Sequence, residues 1–417
     1  MAAVNTPWWR HPALLHRFLD GVLRAEMARL RPGGWAAAQD LWAPGRHWLH
    51  ELGADSLELM ALAGALGAAV DLPDAEAAEG LFEHPTPGHW AQVAAGCLDR
   101  QPDRMRYRSS GSTGEPRWHA HRLADLVQEM QAMGAVLGPV QRIVSAVPCH
   151  HIYGHLFGVL LPWATGRPDL PFLSLHGRAP LALGTQLRPG DLVLGFPDWW
   201  RLVAAQDVAW PGGVTGVSST APCPEDLALA LARQGLPRLV QVYGSSETAG
   251  VGWRDQPGQP FHLHPFWHRD EHPGHTLVRE HVRGDRSHAA APDALRWEDA
   301  RHFWPGERRD GAVQVAGVNV FPGAVRALLR SHPDVKDAAV RLHDFGGQPR
   351  LKAYVVPWPE ADPGPLAEHL RQWAAERLPA PARPAHIAVG PALPVNAEGK
   401  ARDWPLPASD QLENSFF

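Results

Sequence analysis

Residues Ser109-Ser110-Gly111-Ser112-Thr113-Gly114-Glu115-Pro116-Arg117 alternate hydroxyls with glycines and end on a proline and a cation. Glycine lets a backbone approach a phosphate closely, and each Ser or Thr adds a hydroxyl donor. Successive backbone N–H groups in such a turn form a concave anion site. The run lacks the Lys-Ser/Thr that follows the last glycine of a P-loop, and a flexible Gly/Ser linker is its other reading. Further chemistry-bearing segments follow in order. Pro148-Cys149-His150-His151-Ile152-Tyr153-Gly154 carries two histidines, and Ser218-Ser219-Thr220-Ala221-Pro222 clusters hydroxyls. Tyr243-Gly244-Ser245-Ser246-Glu247-Thr248, Arg308-Arg309-Asp310 with Gly317 and Pro322, and Pro394-Val395-Asn396-Ala397-Glu398-Gly399-Lys400 complete the set. Cys97, Cys149 and Cys223 are too few and too scattered for a disulfide framework or a zinc site.

The elements that must position these residues divide into three regions. Residues 10–97 read as mostly helical: Leu14, Leu15, Phe18, Leu19, Val22 and Leu23 mark one buried helix face, ended by Pro32-Gly33-Gly34. A second helix runs through Leu57, Leu59, Met60, Leu62, Ala63 and Leu66, with Asp55-Ser56 at its cap and Glu58 close behind. Pro85-Thr86-Pro87 opens a third through Trp90 and Val93. Residues 98–305 alternate β-rich and helical runs, which predicts α/β layering, with strands at 142–147, 191–196 and 238–243. Residues 254–290 show no periodicity and read as loop or irregular strand. Residues 311–405 read as a small α+β unit, with strands at 335–341 and 352–356, a helix at 365–377 and a stiff connection at 379–384.

At 417 residues and 45% apolar composition the chain is globular and long enough for two or three domains. A net charge near −5 gives no electrostatic case for nucleic acid or an anionic membrane. No apolar run approaches the ~20 residues of a spanning helix, and the start lacks a signal-peptide pattern, so a soluble cytoplasmic protein is expected.

Taken in order, the glycine–hydroxyl loop, the Tyr243–Thr248 segment, the Arg308–Asp310 segment and the Pro394–Lys400 segment resemble the AMP-forming acyl/aryl-CoA ligase superfamily, over roughly residues 105–405. The resemblance implies an α/β fold: domains at 1–97, 98–310 and 311–417, the middle one binding AMP and the last a small mobile lid. It implies that ATP activates a carboxylate as acyl-AMP, that a thiol then displaces AMP, and that Mg²⁺ assists. Ser109, Ser110, Gly111, Ser112, Thr113 and Gly114 would hold the β- and γ-phosphates, with Arg117 where the family has lysine. Glu247 would hold Mg²⁺, Ser246 would lie near the α-phosphate, and Tyr243, followed by Gly244, would lie against adenine. The Ser218–Pro222 segment resembles the stretch lying against adenine and substrate. His151 would gate the acyl pocket, or simply cap a helix; Tyr153, Phe157, Val217 and Val242 would line that pocket. Arg308 would bond the ribose, Asp310 would be the hinge, and Asp299 is the candidate ribose aspartate. Lys400 would neutralise charge on the reacting carboxylate and α-phosphate. Gln314 and Ala324 depart from the family's usual lysine and glutamate.

The compact length and the Asp310–Pro322 wording resemble the 4-coumarate–CoA ligases of photoactive yellow protein chromophore supply, which implies a small aromatic acid. Leu52-Gly53-Ala54-Asp55-Ser56-Leu57 resembles the attachment site of acyl carrier proteins, so the first region is expected as a carrier-like helical bundle with phosphopantetheine on Ser56. The acceptor thiol is then coenzyme A, the arm on Ser56, or a separate carrier protein. An inactive ligase fold used for docking is the alternative of a different class.

Overall fold

The computed structural model describes residues 6–31, 42, 46–50, 53–72, 75–109, 117–177, 180, 183–270, 276–316, 318–346, 348–394 and 402–406. Loop residues Ser110, Gly111, Ser112, Thr113 and Gly114, and Lys400, lie outside them.

In the first compact unit, Met1–Ser109 with Trp118–Ala291 and Trp297–Trp304, helices come before the sheet. Pro12–Leu30 starts at a proline, whose missing N–H costs nothing there, and buries Leu14, Leu15, Phe18, Leu19, Val22 and Leu23 as the spacing predicts. Ser56–Val70 is capped by Asp55: its carboxylate accepts from the Glu58 N–H while Glu58 accepts from the Asp55 N–H. Pro87–Arg100 starts behind Thr86, whose hydroxyl accepts from the His89 N–H.

Residues of these helices share one continuous core with Met130, Met133, Phe157, Leu160 and Val217. The compact unit therefore does not break at residue 97. The apolar faces that suggest a separate bundle cover the sheet's helices instead.

Nine strands hydrogen-bond in the order Asp293–Trp297, His302–Arg308, Phe261–Leu263, Ala249–Arg254, Arg238–Ser245, Thr215–Ser218, Asp191–Gly195, Arg142–Ser145, Phe172–Ser174. The last five are parallel to one another. Asp191–Gly195 and Arg142–Ser145 are buried at every position, as parallel strands covered on both faces require. At their amino ends Arg142 forks onto Asp191 at 2.9 and 2.6 Å, a pair that is itself buried.

The chain adds a strand on one side of Arg142–Ser145 and then crosses to the other, which makes a topological switch point beside this strand. Ligands of open α/β sheets bind there, outside the carboxyl ends.

Residues 254–290, expected as loop or irregular strand, combine the two. They hold short strands, three of which form their own antiparallel sheet: Trp267–Arg269, Thr276–Glu280 and Arg286–Ala290. One face of the last strand is solvated, so Arg286, Ser287 and His288 leave no apolar alternation to read.

The second unit contains Ser110–Arg117, Pro292–Arg296 and the chain from Pro305 onward. A hairpin, Val313–Val315 with Val318–Val320, precedes helix Pro322–Arg330. Val335–Asp344, Pro349–Pro357 and His386–Val389 form a sheet beside helix Pro363–Arg377, and the stiff connection is a short 3₁₀ turn, Ala380–Ala382. Among the described residues no helix is long and apolar enough to cross a membrane.

Candidate active site

The carboxyl ends of the parallel strands lead into the segments that the sequence marks out. Arg142–Ser145 leads to Pro148–His151, Thr215–Ser218 to Ser219-Thr220, and Arg238–Ser245 to the turn bearing Glu247. Tyr153 ties this edge together: its hydroxyl lies 2.9 Å from the Val217 carbonyl and 3.2 Å from that of Gly195. Phe157 packs edge-on against the Tyr153 ring, and both are buried with Val217, while Val242 is half-buried. Of the four expected pocket residues, Tyr153 therefore has its polar end committed to strand ends and can offer a ligand only its ring.

His151 caps the short helix Ile152–His155 through its backbone, without a side-chain cap bond. The residue is half-buried, its Nδ1 is buried without a hydrogen-bond partner, and burial holds its pKa below the usual histidine value. A neutral imidazole with an unspent nitrogen fits a group facing a reacting carboxylate. Thr220 Oγ1 is also buried without a partner, and Thr220 sits at φ +76°, a costly conformation for a β-branched residue. Orphaned polar atoms and strain at one strand end mark a place built for a ligand.

In the turn after Arg238–Ser245, Ser245 Oγ accepts from the N–H groups of Glu247 and Thr248. Tyr243 packs edge-on against Phe261 and Phe303. Gly244 has no alternative: a Cβ there would lie 2.2 Å from the Ala249 carbonyl oxygen. Glu247 is exposed and presents hard carboxylate oxygens, the donor type Mg²⁺ prefers. No group of three or more His, Cys, Asp or Glu side chains forms a ready metal cage among the described residues.

The loop of residues 110–116 is flanked by two paired strands, Arg104–Ser109 and Arg117–Arg122. Arg117 is exposed. Two histidines that the sequence reading missed lie on one face of the second strand, since positions two apart share a face. His119 Nε2 lies 3.6 Å from Glu247 Oε1, and His121 Nε2 lies 2.8 Å from the Ser246 carbonyl oxygen. Alternation within Trp118-His119-Ala120-His121 is the signal that could have found them.

In the second unit, Arg308 forks onto Asp310 at 2.9 and 2.6 Å, and Asp310 also accepts from the Ala312 N–H. Burial works against the Asp310 anion, yet these bonds hold its pKa below the usual value.

Asp299, the candidate ribose aspartate, lies in the bend between strands Asp293–Trp297 and His302–Arg308. It accepts from the backbone of Arg301 and His302 and from the His302 ring, which makes it the organiser of a local turn. The Pro292 carbonyl accepts from the Arg309 N–H at 2.9 Å, which brings the backbone next to Asp293 alongside the Arg308–Asp310 segment. Ser56, exposed, is the first residue of its helix behind the Asp55 cap.

The chain matches two family descriptions, AMP-binding enzyme over residues 107–268 and AMP-binding enzyme C-terminal domain over residues 325–400. It is 37% identical to a 4-coumarate–CoA ligase of Halorhodospira halophila, over 92% of this chain and 97% of that protein. A 4-coumarate–CoA ligase of Rhodobacter capsulatus is 36% identical over 94% and 100% respectively. An amide bond synthetase from Marinactinospora thermotolerans shares the fold at 18% identity, with TM-score 0.61 over 93% of this chain and 98% of that one.

Proposed function

The chain belongs to the AMP-forming, adenylate-forming ligases, and from that premise we propose that it activates a small aromatic acid of the 4-coumarate type and passes it to coenzyme A. A carboxylate oxygen attacks the α-phosphorus of ATP, the bond to the bridging oxygen breaks, and pyrophosphate leaves with that electron pair. The thiol of coenzyme A then attacks the acyl carbon, AMP leaves, and the thiol proton passes to solvent.

The observation that carries this reading is the approach of His119 to Glu247, 3.6 Å. It sets the strand bearing His119 against the turn bearing Glu247, the carboxylate that would hold Mg²⁺. When bound, Mg²⁺ supplies positive charge between phosphate oxygens. Ser109–Gly114 and Arg117 bind the outer phosphates, and Tyr243 supports the adenine. Neutral His151 faces the acid without attracting water as an ion would. Arg308 with Asp293 takes the ribose hydroxyls, and Asp310 serves as the hinge. Lys400 neutralises the charge that builds between carboxylate and α-phosphate.

Coenzyme A is favoured as acceptor because both relatives are named CoA ligases along nearly their whole length. A pantetheine arm on the exposed Ser56 is the other acceptor, and the intact mass of purified protein decides it. An added arm of about 340 Da on a Ser56-containing peptide favours the tethered route.

The test of the whole reading is carboxylate-dependent ATP–pyrophosphate exchange across hydroxycinnamates, benzoates and medium-chain fatty acids, without thiol. Exchange confined to hydroxycinnamates is expected. Exchange with fatty acids alone overturns the aromatic assignment, and no exchange from protein that binds ATP overturns adenylation.

A further inference from the structure

Glu129 is a fully buried carboxylate on helix Leu123–Leu137, and the reaction described above gives it no part. Its two oxygens each lie 3.1 Å from the backbone nitrogen of Gly250. Burial pushes its pKa up to about 7 against the opposing pull of Arg279 and the Gly250 N–H. A buried acid that touches backbone rather than a cation is costly to keep, so its contact needs a reason.

Gly250 supplies one. It is the register partner of Gly244, and Ala249 is the partner of Ser245, at a step in the ladder between Tyr243 and Gly244. On the other side of Gly250, Trp267 Nε1 donates to its carbonyl at 2.9 Å. Both polar groups of one residue are thus held by buried side chains from two other elements. A Cβ on Gly250 would lie 2.3 Å from Glu129 Oε1, so only glycine admits the carboxylate. Glu247 stands three residues away, in the turn that this clamped base supports.

We infer that Glu129 is a positioning residue for the nucleotide-binding turn, fixing Glu247 and Ser246 through the Gly250 N–H. A ladder that steps leaves the hairpin base free to shift register, and a one-residue shift reverses which side chains face the site. The carboxylate on Gly250 pins that base. The inference rests on the assignment of Glu247 to Mg²⁺–ATP.

Two variants test it. Glu129→Met fills the slot with an apolar chain of similar length and removes both acceptors, leaving the Gly250 N–H and the Arg279 charge without their partner. Glu129→Gln keeps one acceptor oxygen and removes the charge. Hydrogen exchange of the peptide spanning residues 247–252 is read without substrates, so it reports on Glu129 even in a protein that fails to adenylate. Glu129→Met is expected to speed exchange there about tenfold or more, with distant peptides unchanged, while Glu129→Gln stays within about threefold of wild type. In ATP–pyrophosphate exchange, Glu129→Met should raise the Mg²⁺ concentration for half-maximal rate about tenfold with a smaller change in maximal rate. A folded Glu129→Met with unchanged protection and unchanged Mg²⁺ dependence overturns the inference. So does a Glu129→Gln as impaired as the Met variant, because the acceptor would then not be what matters. Should Glu129→Met fail to fold, Glu129→Gln alone decides: retained protection at 247–252 supports the inference, and its loss overturns it. A wild-type protein without pyrophosphate exchange but with the predicted protection pattern separates failure of the adenylation reading from failure of this one.

Discussion

His121 Nε2 lies 2.8 Å from the carbonyl oxygen of Ser246, across 125 residues of chain. A carbonyl only accepts, so the ring carries its proton on Nε2, and burial keeps the ring neutral by lowering its pKa. This bond fastens the strand after the hydroxyl–glycine loop to the turn that carries Glu247.

His121→Ala should therefore loosen phosphate and metal binding together. Loss of the bond leaves a part-buried carbonyl without its donor, at a cost of about 1–3 kcal/mol. We expect a lower Tm and a several-fold rise in the Mg²⁺ needed for half-maximal pyrophosphate exchange, read by thermal melting and Mg²⁺ titration. An unchanged Mg²⁺ requirement would show that the two segments are held together by other means.

Gly244→Ala should be among the most damaging single changes. The new methyl would meet the Ala249 carbonyl oxygen at 2.2 Å, and that oxygen is backbone, so it cannot swing aside. The hairpin must open to admit it, at a cost of about 3 kcal/mol or more. Pyrophosphate exchange should fall about a hundredfold or more, and melting curves will show whether the fold survives. Wild-type exchange in this variant would refute the steric account.

Lys352 and Lys400 should separate structure from chemistry. Lys352 is buried in the second unit, donating to Asp403 at 3.0 Å and to the Trp404 carbonyl at 2.7 Å. Lys352→Met leaves the Trp404 carbonyl without its donor and should cost about 1–3 kcal/mol of stability. Lys400→Ala should leave the Tm unchanged and slow acyl-AMP formation about 10²–10³-fold. A Lys400→Ala protein that adenylates at the wild-type rate would remove Lys400 from the mechanism.

Stability should fall as pH drops from neutral towards 4. Burial holds His155 and His264 down to about 3, with His150 adding to His155 and the arginines Arg279 and Arg301 adding to His264; burial likewise holds His150 near 4. Below about 6.5 the unfolded chain protonates these rings while the folded one does not, so protons favour unfolding, by up to about 1.4 kcal/mol per ring per pH unit. Glu129 acts with the opposite sign: its pKa is raised to about 7, so its destabilisation grows from about pH 4.5 to 7 and vanishes in acid. Denaturant melts between pH 4 and 8 should show the histidine term dominating below pH 6. His155→Phe should flatten that slope, and an unchanged slope would mean that His155 is protonated in the folded state.

What the sequence determined alone is what depends on neighbours along the chain. The helix at Ser56 follows from Asp55 and Glu58 three residues apart, because a capping box needs only one turn of backbone. The buried strands at Asp191 and Arg142 follow from continuous apolar runs, and the ordered motifs sufficed to identify the ligase family. Only the tertiary structure decided which residues those motifs meet. It set the Pro292 carbonyl against the Arg309 N–H, a pairing between residues 17 apart that no local pattern announces. It joined the N-terminal helices to the first unit's core, since an apolar helix face declares that it will be buried but not against what. It brought Glu129 under Gly250, because a carboxylate in a helical sequence looks solvated until another element's backbone N–H arrives to hold it.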